Sequence, residues 1–173
     1  MLPSPGSVTL EPLPDELARE TRAYRHALGC FATGVCVVTA DTPAGPLGIT
    51  VNSFASVSLE PRLVVWSLDE RSERWTVFAA AERYAIHILP AGDEAEAMRF
   101  ARGVCLLESH EFSRDGEGPP VMDKAIARFE CVTHDRIPMG DHMMIVGRVE
   151  RFRTNAGAAL TFYRGQYGRI GED

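Results

Sequence analysis

The sequence predicts a mainly β fold with peripheral helices, a small barrel in preference to a doubly wound parallel sheet. Three observations carry this. Short runs rich in β-branched residues recur along the chain, with Gly, Pro, Asp and Ser clusters between them. The segments of helical character are too few and too irregularly placed to serve as crossovers in a βαβ series. No GxGxxG follows a strand, which excludes the dinucleotide cradle of doubly wound sheets.

With 173 residues the chain accommodates one domain with its own core. We expect a tail over residues 1–13, which hold three of the 11 prolines, and a folded domain over residues 14–173. No apolar run approaches the roughly 20 residues of a membrane-spanning helix, so no membrane partner is expected. A net charge of −6 without a Lys/Arg block argues against nucleic acid, because neutralising phosphates takes clustered cations. Cys30, Cys36, Cys105 and Cys131 lack CxxC spacing, so they read mostly as buried thiols rather than a zinc or redox motif. The first residues carry neither a basic start nor an apolar h-region, and we expect a cytoplasmic protein.

In chain order, Pro14-Asp15-Glu16 reads as a helix first turn. Leu17, Tyr24, Leu28 and Phe31 form an apolar stripe, and Gly29 ends the helix. Residues 35–40 and 47–51 make a hairpin around the turn-forming residues 41–46, and residues 63–68 are a further strand. Asp69 or Ser72 caps a helix from Glu73 to about Ala81, whose free N–H groups offer an anion site. Residues 84–89 are a strand, and Asp93 and Glu96 open a helix to about Arg102. Residues 103–120 read as an exposed loop. Strands over 125–133 and 143–152 surround a turn at Ile137-Pro138-Met139-Gly140, and residues 160–163 close the apolar pattern.

The functional reading centres on Thr50-Val51-Asn52-Ser53-Phe54-Ala55-Ser56-Val57-Ser58. Small hydroxyl and amide side chains stand here where a half-buried strand normally carries bulk. Asn52, Ser53, Ser56 and Ser58 supply donors and acceptors, and irregular backbone leaves N–H groups free. Such a corner suits a flat heteroaromatic ring with a phosphate; a Ser-rich turn bonded to itself has the same composition.

Gly140-Asp141-His142 lies at the mouth of a hairpin, and His142 is the catalytic candidate. An imidazole orients a carboxamide, neutralises a growing anion or moves a proton near neutral pH, and Asp141 tunes it. A structural histidine at a strand end is the alternative. His134, Asp141 and His142 do not read as a metal site, since adjacent strand positions point to opposite faces. No GxSxG is present, and no cysteine lies beside a histidine in sequence. Trp66 and Trp75 read as core or ring-stacking residues.

Four stretches, in order, resemble the flavin reductase-like family of short FMN-binding split-barrel proteins. They are Ala27-Leu28-Gly29-Cys30-Phe31-Ala32-Thr33-Gly34-Val35, the run from Gly48 through Ser58 to Pro61, Gly140-Asp141-His142 with Gly147-Arg148-Val149, and Leu160-Thr161-Phe162-Tyr163-Arg164-Gly165-Gln166-Tyr167. The resemblance implies a six-stranded Greek-key split β-barrel, a homodimer with flavin near the subunit interface. It also implies FMN or FAD as the flavin and NADH or NADPH as the hydride donor. On matching positions, Thr50, Val51, Asn52, Ser53 and Phe54 line the flavin ring, while Ser56, Ser58 and Ser72 lie toward the ribityl chain and phosphate. His142, beside Asp141, matches the family's GDH histidine, which binds or orients NAD(P)H; Arg164 and Tyr167 complete the pocket. The implied activity is flavin reduction by NAD(P)H, supplying reduced flavin to a partner monooxygenase. A non-catalytic flavin carrier on the same fold is the alternative. The chain departs from the family pattern at Pro61-Arg62, where relatives commonly carry Pro-Pro, and at Ser109-His110-Glu111-Phe112, where Asp-Lys-Phe is common. The second change falls in a variable loop and bears on flavin or nucleotide preference.

Overall fold

A computed structural model describes residues 15–171; the expected tail over 1–13 and the Pro14 helix start lie outside them. In chain order the elements are α1 (Asp15–Leu28), β1 (Thr33–Gly34), β2 (Cys36–Ala40), β3 (Leu47–Val51), β4 (Ala55–Leu59), β5 (Arg62–Asp69), α2 (Trp75–Ala80), β6 (Arg83–Ile88), α3 (Glu94–Arg99), β7 (Ala127–Met139), β8 (His142–Thr154), β9 (Ala159–Tyr163) and β10 (Gln166–Ile170). The mainly β class with few helices is as expected.

The six-stranded barrel is not. The described strands form a seven-stranded sheet, ordered β3-β2-β6-β7-β8-β5-β4, and a three-stranded sheet, β1-β9-β10. No ladder joins β3 to β4, because the outer edge of β3 is already occupied. Gly48 N–H donates to Cys105 O at 3.3 Å, Thr50 N–H donates to Phe100 O at 2.9 Å, and Leu107 N–H donates to Pro46 O at 2.9 Å. Residues 100–107 thus take the backbone groups that closure of a barrel requires.

The hairpin β2–β3 forms in the expected register, with Cys36 opposite Val51 and Ala40 opposite Leu47. Strands β7 and β8 run further than the apolar pattern indicated, pairing from Ala127 and Thr154 to Met139 and His142. Pro138 is tolerated there because β6 pairs with β7 no further than Val132, so no neighbour needs the missing N–H. Register shifts at Glu130/Cys131 and Thr133/Asp135 add local bend and twist to this long pair.

Alternation along β5 sends Val64, Trp66 and Leu68 into one core, where the Trp66 indole meets Phe78 and Tyr84 edge-on at 5.6 and 5.9 Å between centroids. A second core joins Val35, Val37, Leu89, Ala97, Phe100, Leu107, Met122 and Leu160 between the two sheets and α3. Cys36 and Cys131 are buried, and burial pushes both thiols up to about 12. Cys30 is exposed and Cys105 half-buried, against the expectation for most of the four.

Three local expectations are corrected. No residue of α1 is buried, and Leu17, Tyr24, Leu28 and Phe31 all face outward. Helix α2 begins only at Trp75 and has no side-chain cap. Asp69 and Ser72 instead accept the N–H groups of Arg71 and Arg74 inside the preceding turn, so the capped helix with its anion-binding end does not form. Residues 103–120 are only partly exposed: Leu107 and residues 118–120 are buried. Thr39 Oγ1 donates to Pro120 O at 2.5 Å, and the buried His87 Nε2 accepts from Met122 N–H at 3.0 Å. Among the described residues no helix is long and apolar enough to cross a membrane.

Candidate functional site

The chain leaves β3 at Val51 and crosses to β4 through Asn52, Ser53 and Phe54, and this corner forms one wall of a cleft of about 360 Å³. Thr50 and Ser53 fix the corner and spend their hydroxyls doing so. Thr50 Oγ1 donates to Ala97 O at 2.7 Å, tying β3 to α3. Ser53 Oγ accepts from Ser67 N–H at 3.0 Å and donates to Ser67 O at 3.3 Å, tying the corner to β5. The Asn52 carboxamide meets no protein partner among the described residues and stands exposed at the cleft. The opposite wall carries Asp69, Arg71, Ser72, Arg74 and His142.

His142 is the first residue of β8. Gly140, at φ +65°, supplies the left-handed turn that returns the chain from β7, and the ladder sets His142 opposite Asp69. His142 Nδ1 lies 2.8 Å from Asp141 Oδ1. The hydrogen bond from His142, more than the nearby charges, holds the Asp141 carboxyl below the usual range; Asp69 is held low chiefly by the bond from Arg71.

Arg74 was missed in sequence, where it falls in the first turn of the helix expected from Glu73 to about Ala81. Its only distinguishing signal there is the neighbouring Trp75. The side chain is 6% exposed. Its guanidinium donates to Phe100 O and Ala101 O at 3.2 Å each and to Gly103 O, fixing the segment that covers the β3 edge. Among the described residues no carboxylate stands within ion-pair distance of Arg74, and its Nε has no partner. Burial, the main cause, pulls its pKa down. A buried cation without a counter-ion is costly, and an anionic ligand group in the cleft relieves that cost.

A second cavity, of about 140 Å³, shares Thr50, Val51 and Asn52 with the cleft and is otherwise lined by Val35, Phe162 and Tyr167. The Phe162 and Tyr167 rings, paired across β9 and β10, lie 5.3 Å apart at 60°. Phe162 is a second residue the sequence reading did not select.

The remaining candidates lie elsewhere. Phe54 stacks on Phe129 at 5.5 Å, against the core. Ser56 and Ser58 sit on β4 on either side of a bulge, outside the residues lining the cleft. Arg164, at φ +48° in the β9–β10 turn, lies over the Tyr163 ring and donates its N–H to Gly29 O at 2.8 Å, away from both cavities. Asp141 does not line the cleft itself and reaches it through His142 and Arg71. No cluster of three or more His, Cys, Asp or Glu suited to a metal ion occurs among the described residues.

Residues 28–171 match the family described as flavin reductase like domain. The chain is 46% identical over 150 residues to the FMN reductase (NADH) SmoA of Agrobacterium fabrum, covering 87% of this chain and 86% of that one. It is 37% identical over 154 residues to the reductase component of the flavin-dependent trigonelline monooxygenase of Acinetobacter baylyi, covering 88% of this chain but 50% of that longer protein. Among solved structures, the NADH:FAD oxidoreductase SgcE6 of Streptomyces globisporus, in complex with NAD and FAD fragments, superposes with a TM-score of 0.81 at 31% identity, over 94% of this chain and 99% of that one.

Proposed function

The chain belongs to the flavin reductase-like domain family, and from that premise we propose that it is an NADH-dependent flavin reductase that supplies reduced FMN or FAD to a monooxygenase on a separate chain. The observation that carries this reading is the junction of two unlike cavities across Thr50, Val51 and Asn52. One is narrow and aromatic, and the other is polar with a buried cation.

The residues present fit a flavin. The phosphate-bearing end requires hydroxyl donors and a positive charge, and Ser72 and the uncompensated Arg74 supply them. The ring requires a flat apolar contact and a few amide donors, which Phe162, Tyr167, Asn52 and the backbone of the corner supply. When bound, flavin supplies an acceptor for the hydride carried by reduced nicotinamide. The protein's own part is orientation: Ser53 and Thr50 hold the corner rigid, and His142 faces the same cleft, where it contacts the nicotinamide side. No general base or nucleophile is needed, which accounts for the lack of a triad.

We place the working unit as a homodimer. Leu17, Tyr24, Leu28 and Phe31 are exposed together on and just after α1, and Leu59 at the β4 edge is 90% exposed. Surfaces of this kind favour burial against a second copy. Free Cys30, Cys36, Cys105 and Cys131 suit a reducing compartment, the cytoplasm.

The test of the reductase reading is steady-state NADH oxidation with added FMN or FAD. A rate no higher than that of free flavin ends the proposal. Sedimentation of the wild type and of Leu28→Glu tests the dimer; a monomeric wild type ends that part.

A further inference from the structure

The His142 ring is tied at one nitrogen only. Its Nδ1 meets Asp141 Oδ1, while Nε2 has no protein partner among the described residues. Asp141 is gripped from its other oxygen by Arg71, whose Nη2 stands 3.4 Å from Oδ2. The same guanidinium forks onto Asp69, with Nε to Oδ1 and Nη2 to Oδ2 at 3.1 Å each. The backbone repeats the link, since Glu70 N–H donates to Asp141 O at 3.1 Å. Arg71 therefore clamps the turn after β5 to the β7–β8 turn at the lip of the cleft.

A proton assignment follows. Both carboxylates are held ionised below the usual range, and an ionised carboxylate only accepts. The hydrogen between Asp141 and His142 therefore sits on Nδ1, and the neutral ring offers a bare lone pair at Nε2. We propose that Arg71 is a positioning residue which, through Asp141, fixes His142 as the Nδ1–H tautomer and presents Nε2 to the cleft as a hydrogen-bond acceptor for the amide N–H of the nicotinamide carboxamide. This rests on the reading that the cleft admits NADH. It makes His142 an acceptor that orients the donor, not an acid that donates to it.

Two measurements test this. Long-range ¹H–¹⁵N correlation spectra of the flavin-free protein, recorded above the ordinary imidazole titration range and assigned with His142→Ala, report the tautomer directly. The wild type shows the Nδ1–H pattern, Arg71→Gln a mixture, and Arg71→Lys a partial return. A wild-type ring protonated at Nε2 overturns the proposal, as does an Arg71→Gln spectrum identical to wild type.

The second compares kcat/KM for NADH with that for the reduced 3-acetylpyridine analogue, which keeps the carbonyl but has no amide N–H. The selectivity for NADH falls about fivefold in both His142→Ala and Arg71→Gln, the loss of one hydrogen bond, while FMN affinity and Tm hold. Selectivity unchanged from wild type in both variants overturns the acceptor role. Wild-type protein that oxidises neither donor defeats the reductase reading instead, and the tautomer spectra still decide what Arg71 does.

Discussion

Gly48→Ala tests the link between core packing and the site. A Cβ at this position sits 2.5 Å from Phe100 Cδ1 and 2.7 Å from Cε1. Carbon contacts prefer about 3.5–4 Å, so the ring has to retreat by about 1 Å. It has little room to do so, because Phe100 is fully buried among Val35, Leu107, Met122 and Leu160. Overpacking of this kind costs about 1–3 kcal/mol. Removing a glycine from the unfolded chain offsets about 0.5–1 kcal/mol of that, for a net loss of about 1–2 kcal/mol. For a domain of this size, Tm falls by roughly 2–8 °C. The consequence reaches the cleft because Phe100 O accepts both Thr50 N–H and the Arg74 guanidinium, so FMN affinity falls as well. Urea denaturation and a flavin titration measure the two effects. Phe100→Leu, which trims the ring, restores part of both losses in the Gly48→Ala background. Gly48→Ala as stable as the wild type, or a double variant whose effects simply add, refutes the close-approach argument.

Three further outcomes are expected. Replacing Arg74 with Met removes the buried cation. FMN affinity falls about tenfold, the worth of one charge-assisted contact, while riboflavin, which has no phosphate, loses much less; titrations of the two flavins measure the difference. Thr50→Val deletes the bond to Ala97 O and leaves that carbonyl unpaired, lowering urea stability by about 1–2 kcal/mol. His87 carries the pH dependence. Nδ1–H donates to Val37 O at 2.9 Å and Nε2 accepts from Met122 N–H, so the folded protein needs the neutral ring. Burial, the largest cause, pulls its pKa from 6.5 to about 4. The unfolded chain then binds the proton more readily, so stability is complete above pH 6.5 and drains away as pH falls toward 4, by roughly 3 kcal/mol. Stability curves of wild type and His87→Leu compared over that window converge at the acid end.

Local chemistry made much of this legible in sequence. The turn residues at 41–46 and the β-branched run before them give the β2–β3 hairpin, and the apolar run at residues 63–68 gives β5, though which of its faces is buried emerges only in the structure. The corner at residues 50–53 and His142 were visible because polar residues interrupt apolar strands there. What sequence could not show depends on contacts distant along the chain. Arg74 is buried only because the carbonyls of Phe100, Ala101 and Gly103 fold over it, and Phe162 becomes a cavity wall only when β9 pairs with β1. The barrel expectation failed for the same reason: residues 100–107 occupy the β3 edge, and no local pattern announces that pairing. Asp69 and Ser72 look like helix caps, but their side chains close the turn one step earlier.

The central claim is that the cleft holds flavin where reduced nicotinamide can reduce it. Its most direct test is anaerobic stopped-flow absorbance of the oxidised-flavin band after protein with FMN or FAD is mixed with NADH. The account predicts rapid, protein-dependent bleaching that slows in His142→Ala while flavin binding persists. Flavin that binds yet stays oxidised contradicts it, and makes the protein a carrier on the same fold.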